Sequence, residues 1–137
     1  MKKVTFIDAG VLIAAVRGNA DLAHRAFEVL DDDRNRSFAS STFICLEVLP
    51  KARFHKRAEE VAFYEAFFNR VEHWATPGAA LLEDAFELGA ENGLSALDAL
   101  HGAAALSVSA MELITSEKRG RPLHRLASIK VTTIQSG

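Results

Sequence analysis

The chain has 137 residues, with 16 Lys and Arg against 18 Asp and Glu and a net charge of −2. That length suits one domain with a real hydrophobic core. No apolar run is long enough to span a membrane, and the charge balance excludes indiscriminate attraction to nucleic acid as the whole of its function. The single cysteine, Cys45, cannot form an internal disulfide and reads as a small buried hydrophobe. Met1-Lys2-Lys3 leads straight into an apolar stretch with no small-residue cleavage site, so a cytoplasmic protein is expected.

Val4, Phe6 and Ile7 predict a buried strand, and Asp8 follows it at once. Gly10 lets the chain turn, and residues 11–16 read as the start of a helix. In an open α/β sheet, ligands gather beyond the carboxyl ends of the strands. Asp8 therefore either faces a crevice or simply caps the helix behind it. Asn19 is a plausible cap for a helix over residues 20–30, whose Leu22, Ala23, Ala26, Phe27 and Leu30 recur at helical spacing. Asp31-Asp32-Asp33 reads as a solvated loop, because consecutive residues of a helix do not share a face and acids oppose a helix C-terminus.

Residues 37–40 predict a second strand, and Ser41 or Thr42 can cap the helix that follows. Glu47 is the one charge in the segment Phe43 to Leu49, and charges are almost never fully buried unless paired. Either it has a partner, or the polar face of the helix passes through Glu47 and Lys51. Pro50 predicts a bend or break near Leu49. A helix over residues 57–70 follows, and Val61, Phe63, Tyr64, Phe67 and Phe68 cover more than one stripe of it. That girth of apolar side chains predicts a protein–protein surface.

Residues 71–75 predict a third strand, and Thr76-Pro77 the start of a helix with proline in its first turn. Leu81, Leu82, Ala85, Phe86, Leu88 and Gly89 form its expected buried face, and Gly93 its C-cap. Ser95-Ala96-Leu97-Asp98 opens an alanine-rich helix with capping-box spacing, with His101 one turn beyond Asp98. A histidine so placed shares the face of Asp98 or is merely packed or solvated. Residues 111–115 predict a fourth strand ending at Thr115-Ser116-Glu117, residues 123–128 a short helix, and residues 129–134 a fifth strand. The alternation predicts an α/β fold: a mostly parallel sheet of about five strands with helices on both faces.

Asp8, Glu47, Asp98 and Glu117 thus stand at strand ends and in early helical turns, positions able to converge. Four ionised carboxylates in one crevice repel, and cations remove that cost. All-oxygen donors suit Mg²⁺ or Mn²⁺, and such ions activate water and stabilise both oxygens of a phosphodiester displacement. The five histidines lack zinc spacing, and neither a phosphate-cradling glycine loop nor a G-x-S-x-G elbow is present. Two basic stretches, one with Lys51 and Arg53 and one with Lys118, Arg119 and Arg121, are able to hold phosphates. The acids do not decide between RNA and DNA.

The chain resembles a PIN domain along nearly its whole length. The resemblance rests on Phe6-Ile7-Asp8-Ala9-Gly10-Val11-Leu12-Ile13, on Ser41-Thr42 ahead of Leu46-Glu47-Val48-Leu49, and on Leu94-Ser95-Ala96-Leu97-Asp98-Ala99-Leu100. Leu113-Ile114-Thr115-Ser116-Glu117 and Pro122-Leu123-His124-Arg125-Leu126 complete it. The resemblance implies a metal-dependent endoribonuclease of the VapC toxin type. It implies an antitoxin bound over the helical hairpin, homodimerisation and an RNA substrate. Asp8, Glu47 and Asp98 match the family's acidic metal site, Glu117 falls where a fourth acid, usually Asp, is expected, and Thr115 and Ser116 would support them. Gly10 stands where the family usually has a polar residue. A PIN fold kept as a binding module for RNA or protein is the alternative.

Overall fold

A computed structural model describes residues 1–136. Five strands, β1 (Lys3–Ile7), β2 (Arg36–Ser40), β3 (His73–Trp74), β4 (Glu112–Thr115) and β5 (Lys130–Thr133), form one sheet in the order β3-β2-β1-β4-β5. Every neighbouring pair is parallel. Thr5, Phe6 and Ile7 in β1 and all of β4 are buried. Because successive side chains of a strand point to opposite faces, both faces of the central strands are covered, as parallel sheets require.

The covering helices are α1 (Ala9–Arg17), α2 (Ala20–Leu30), α3 (Thr42–Phe54), α4 (Ala58–Arg70), α5 (Ala79–Asn92) and α6 (Ala96–Ser107). A 3₁₀ turn follows at Pro122–Arg125. The chain builds outward from β1 through β2 to β3, then returns to lay β4 on the other side of β1. The strand order therefore reverses between β1 and β4, whose ends are held level by the pairing of Ile7 with Ile114. A crevice at such a reversal is the usual ligand position of an open α/β sheet.

Several expectations are corrected. Helix α3 runs unbroken through Pro50. Pro50 lies on the solvent side, next to exposed Leu46, so the carbonyl deprived of its helical partner is open to water. The third strand shrinks to two residues, and α5 begins at Ala79 behind an extended Gly78, leaving Thr76 and Pro77 in the loop. Along α5, Leu81 and Ala85 are buried, but Leu82 and Phe86 are 53% and 73% exposed.

The aromatic face of α4 is largely internal. Tyr64, Phe67 and Phe68 are buried, and Val61 and Phe63 are half-buried. Phe67 packs on Phe38 of β2 at 5.6 Å, Phe68 on Trp74 of β3 at 5.9 Å, and Phe63 meets Phe27 of α2 edge-on at 5.7 Å. The chain's own strands and α2 supply the cover expected from a partner. Of the three aspartates after α2, Asp31 and Asp33 are exposed, whereas Asp32 accepts from Asn35 and, at 2.8 Å, from Arg36.

The far end of the sheet carries an ionic network. Glu112 is buried and accepts from Thr5 Oγ1 at 2.7 Å and Arg36 Nε at 2.9 Å, with Lys3 Nζ at 3.6 Å. Burial alone would raise its carboxyl. The Thr5 and Arg36 hydrogen bonds and the two cations outweigh it and hold the carboxyl below its ordinary value.

Candidate metal centre

Asp8 leaves β1 and caps α1 in one step. Its Oδ1 accepts from the Ala9 N–H at 2.8 Å, and its own N–H donates to the Ile114 carbonyl of β4 at 2.9 Å. Its Oδ2 accepts from Thr115 Oγ1 at 2.7 Å, and the same hydroxyl accepts from the Glu117 N–H at 3.1 Å. One threonine thus fixes both the carboxylate at the end of β1 and the backbone that launches Glu117 past β4. The Glu117 carbonyl accepts from a ring nitrogen of His124 at 2.9 Å, and its carboxylate lies 3.5 Å from Arg121 Nε.

The other wall comes from α3 and α6. Ser41 caps α3 and Ser95 caps α6, so each helix starts where the sequence pattern sets it. Asp98 stands in the first turn of α6, its N–H donating to Ser95 Oγ at 3.2 Å. One turn later His101 is only 1% exposed. Its Nε2 makes a close contact with Glu47 Oε1 on α3 and lies 3.9 Å from Asp8 Oδ1. The ring packs on Phe6 with centroids 6.4 Å apart.

These residues line one cleft of about 410 Å³. Asp8, Glu47, Asp98 and Glu117 all face it, with Gly10, Ser95, His101, Ser116 and Arg121. Within it, Asp8, Glu47 and His101 form the tightest donor set, with one ligand-type atom from each all within 4.8 Å of one another. It is the one such group among the described residues. Asp98 and Glu117 line the same cleft outside that set.

Burial lifts the Asp8 carboxyl above its ordinary value, only partly offset by His101 and the Thr115 hydrogen bond. Burial also lifts Asp98, and the nearby Glu117 charge adds to the effect. The cleft therefore concentrates carboxylates that are uncomfortable as anions, the electrostatic state a bound cation relieves. The donor set of carboxylates with one imidazole suits a divalent metal.

The predicted basic residues divide. Arg121 lines the cleft. Lys118 and Arg119 are exposed on the loop after β4. Lys51 lies in the adjoining groove with Glu47 and Arg17, and Arg53 lies 3.6 Å from Glu65. The residue that sequence reasoning left outside the site is His101. Its signal was the three-residue spacing from Asp98, which puts both on one helical face.

Residues 5–128 match the PIN domain. The chain belongs to the PIN domain family. No curated protein matches it. Among solved structures, this PIN domain is similar to a chain of VapBC2 from Rickettsia felis bound to a promoter DNA fragment. The TM-score is 0.71 at 17% identity, covering 95% of this chain and 98% of that one. A toxin–antitoxin complex from Klebsiella pneumoniae gives 0.69 at 21% identity, over 96% and 98%. VapBC-1 from nontypeable Haemophilus influenzae gives 0.68 at 17% identity, over 96% and 98%. At such identities the likeness is one of fold. No helix among the described residues is long and apolar enough to cross a membrane.

Proposed function

We propose that this PIN domain is a divalent-metal-dependent endoribonuclease, the toxin of a toxin–antitoxin pair, working in the cytoplasm. The observation that carries the reading is the convergence of Asp8, Glu47, Asp98 and Glu117 on one cleft at the β1/β4 reversal. Asp8, Glu47 and Asp98 would hold Mg²⁺ or Mn²⁺, with Glu117 completing the acidic rim. When bound, the ion supplies a Lewis acid that activates water and stabilises charge on a phosphodiester.

The protein's own share is positioning. Thr115 holds the Asp8 carboxylate in one orientation, and Ser95 holds the first turn of α6 and with it Asp98. Arg121 at the cleft wall, with Lys118 and Arg119 on the same loop, offers cations to the substrate's phosphates. Lys51 and Arg53 on α3 extend the basic track. The neighbours of like fold occur in toxin–antitoxin complexes, which supports an antitoxin partner and a homodimer here. The apolar side chains left uncovered for such contacts are Leu82 and Phe86 on α5 and Leu46 and Phe54 on α3, not the buried aromatics of α4.

The test is cleavage of an end-labelled single-stranded RNA with Mn²⁺, with and without excess EDTA, by wild type and Asp98→Asn. Cleavage that needs the metal and falls at least about 100-fold in the variant is expected. Equal rates in the two proteins would remove Asp98 from the chemistry. No cleavage and no metal-induced rise in Tm would leave the fold as a binding module.

A further inference from the structure

The donor set that lies closest together in the cleft is not the acid set. It contains Asp8 and Glu47, but its third member is His101, while Asp98 and Glu117 stand outside it. His101 is one of the most deeply buried polar side chains of the chain. It arises from α6 and delivers Nε2 between the carboxylates of β1 and α3, 3.9 Å from Asp8 Oδ1 and in contact with Glu47 Oε1. Donors that share one ion with bonds of about 2.0–2.2 Å stand no more than about 4.4 Å apart. The spread of 4.8 Å among these three atoms needs only a few tenths of an ångström of adjustment.

The other ring nitrogen matters equally. Nδ1 is buried and has no hydrogen-bond partner among the described residues. A histidine whose task is solely to donate to a carboxylate usually has its tautomer fixed by a bond at the second nitrogen. Nothing fixes it here, so the lone pair of Nε2 is available to a cation. An imidazole nitrogen also changes which ion is preferred. Mg²⁺ takes oxygen donors almost exclusively, whereas first-row transition ions accept imidazole readily.

We infer that His101 is a direct ligand of the ion, with Asp8 and Glu47, and that this makes the site select Mn²⁺ over Mg²⁺. The inference rests on the metal-centre reading above and adds to it the identity of a nitrogen ligand and a metal preference. His101 sits in the cleft whether or not the protein cuts RNA, so the test does not rely on activity.

The experiment is pulsed electron paramagnetic resonance of the full chain loaded with one equivalent of Mn²⁺, in wild type and His101→Gln. The folding of each protein is checked by thermal melting. Wild type is expected to show ¹⁴N modulation from a directly bound imidazole, and His101→Gln to lose it. Competition titrations should show the Mn²⁺-to-Mg²⁺ affinity ratio falling about tenfold or more in the variant. The wild-type spectrum decides even if the variant folds poorly. Bound Mn²⁺ without ¹⁴N modulation in wild type would overturn the ligand assignment and leave the metal centre standing. A wild-type protein that binds no Mn²⁺ would overturn both.

Discussion

The hydroxyl of Ser116 occupies the space that a side chain on Gly10 would need. A Cβ built on Gly10 would fall on Ser116 Oγ and lie 3.0 Å from Ser116 Cβ. Gly10 lies in the first turn of α1 with an ordinary negative φ, so its backbone does not demand glycine. Glycine in a helix costs about 0.5–1 kcal/mol relative to alanine, and here that cost leaves room for a hydroxyl that lines the acid cleft. Gly10→Ala alone should therefore destabilise the fold by about 1–3 kcal/mol through overpacking. In a Ser116→Gly background the same change should become neutral or mildly stabilising. Urea melts of the four proteins of this cycle check it. Additive effects would mean that positions 10 and 116 do not compete.

Thr115 ties two parts of the site together by one hydroxyl. Thr115→Val keeps its shape but leaves Asp8 Oδ2 and the Glu117 N–H without their bonds. A loss of about 1–3 kcal/mol in stability is expected, with a fall of about tenfold or more in Mn²⁺ affinity. Thr115→Ser, which retains the hydroxyl, should bind Mn²⁺ nearly as well as wild type. Calorimetric titration of the three proteins separates these outcomes.

The same residues show how far the sequence could be read. Asp8 was legible because an acid directly after a buried strand has few places to go, and Asp98 because Ser95 marks the helix start. Glu47 was legible as a lone charge in an apolar run. His101 was not, because its spacing from Asp98 fits a packed ring as well as a site ligand. Only the fold brings α3 against α6 and supplies Glu47 as its partner. The α4 aromatics show the opposite limit. An apolar girth records that a helix is covered, not whether the cover is its own sheet or a second molecule. Phe86 matched the helical spacing of the buried face of α5, yet that spacing covers a wider arc than the neighbouring layer does.

The two aromatic sets make distinct predictions. Phe67 is 2% exposed and packs on Phe38, so Phe67→Ala should cost about 3–5 kcal/mol in any assembly state. Phe86 is largely exposed, so Phe86→Ala should change the stability of the monomer by less than about 0.5 kcal/mol. Denaturant melts at low protein concentration check both.

Glu112 predicts how the fold responds to acid. Its folded carboxyl is held below the ordinary glutamate value, despite burial, by Thr5, Arg36 and Lys3. A depressed folded value means that the unfolded chain takes up the proton first as pH falls. The stabilisation is thus fully present above the unfolded value of about 4.3. It is lost as pH drops through the lower folded value. Glu112→Gln should lower stability by about 1–3 kcal/mol at pH 7, and the gap to wild type should close in acid. A gap that stays constant from pH 7 to pH 2.5 would assign the loss to packing rather than charge.

The most direct measurement is a calorimetric titration of Mn²⁺ into the wild-type chain and into Asp8→Asn, which keeps the side chain's size and removes its charge. A saturable isotherm for wild type, weakened at least about tenfold or abolished in the variant, is the predicted result. Identical isotherms, or no saturable binding by wild type, would contradict the claim that these converging acids form a cation site.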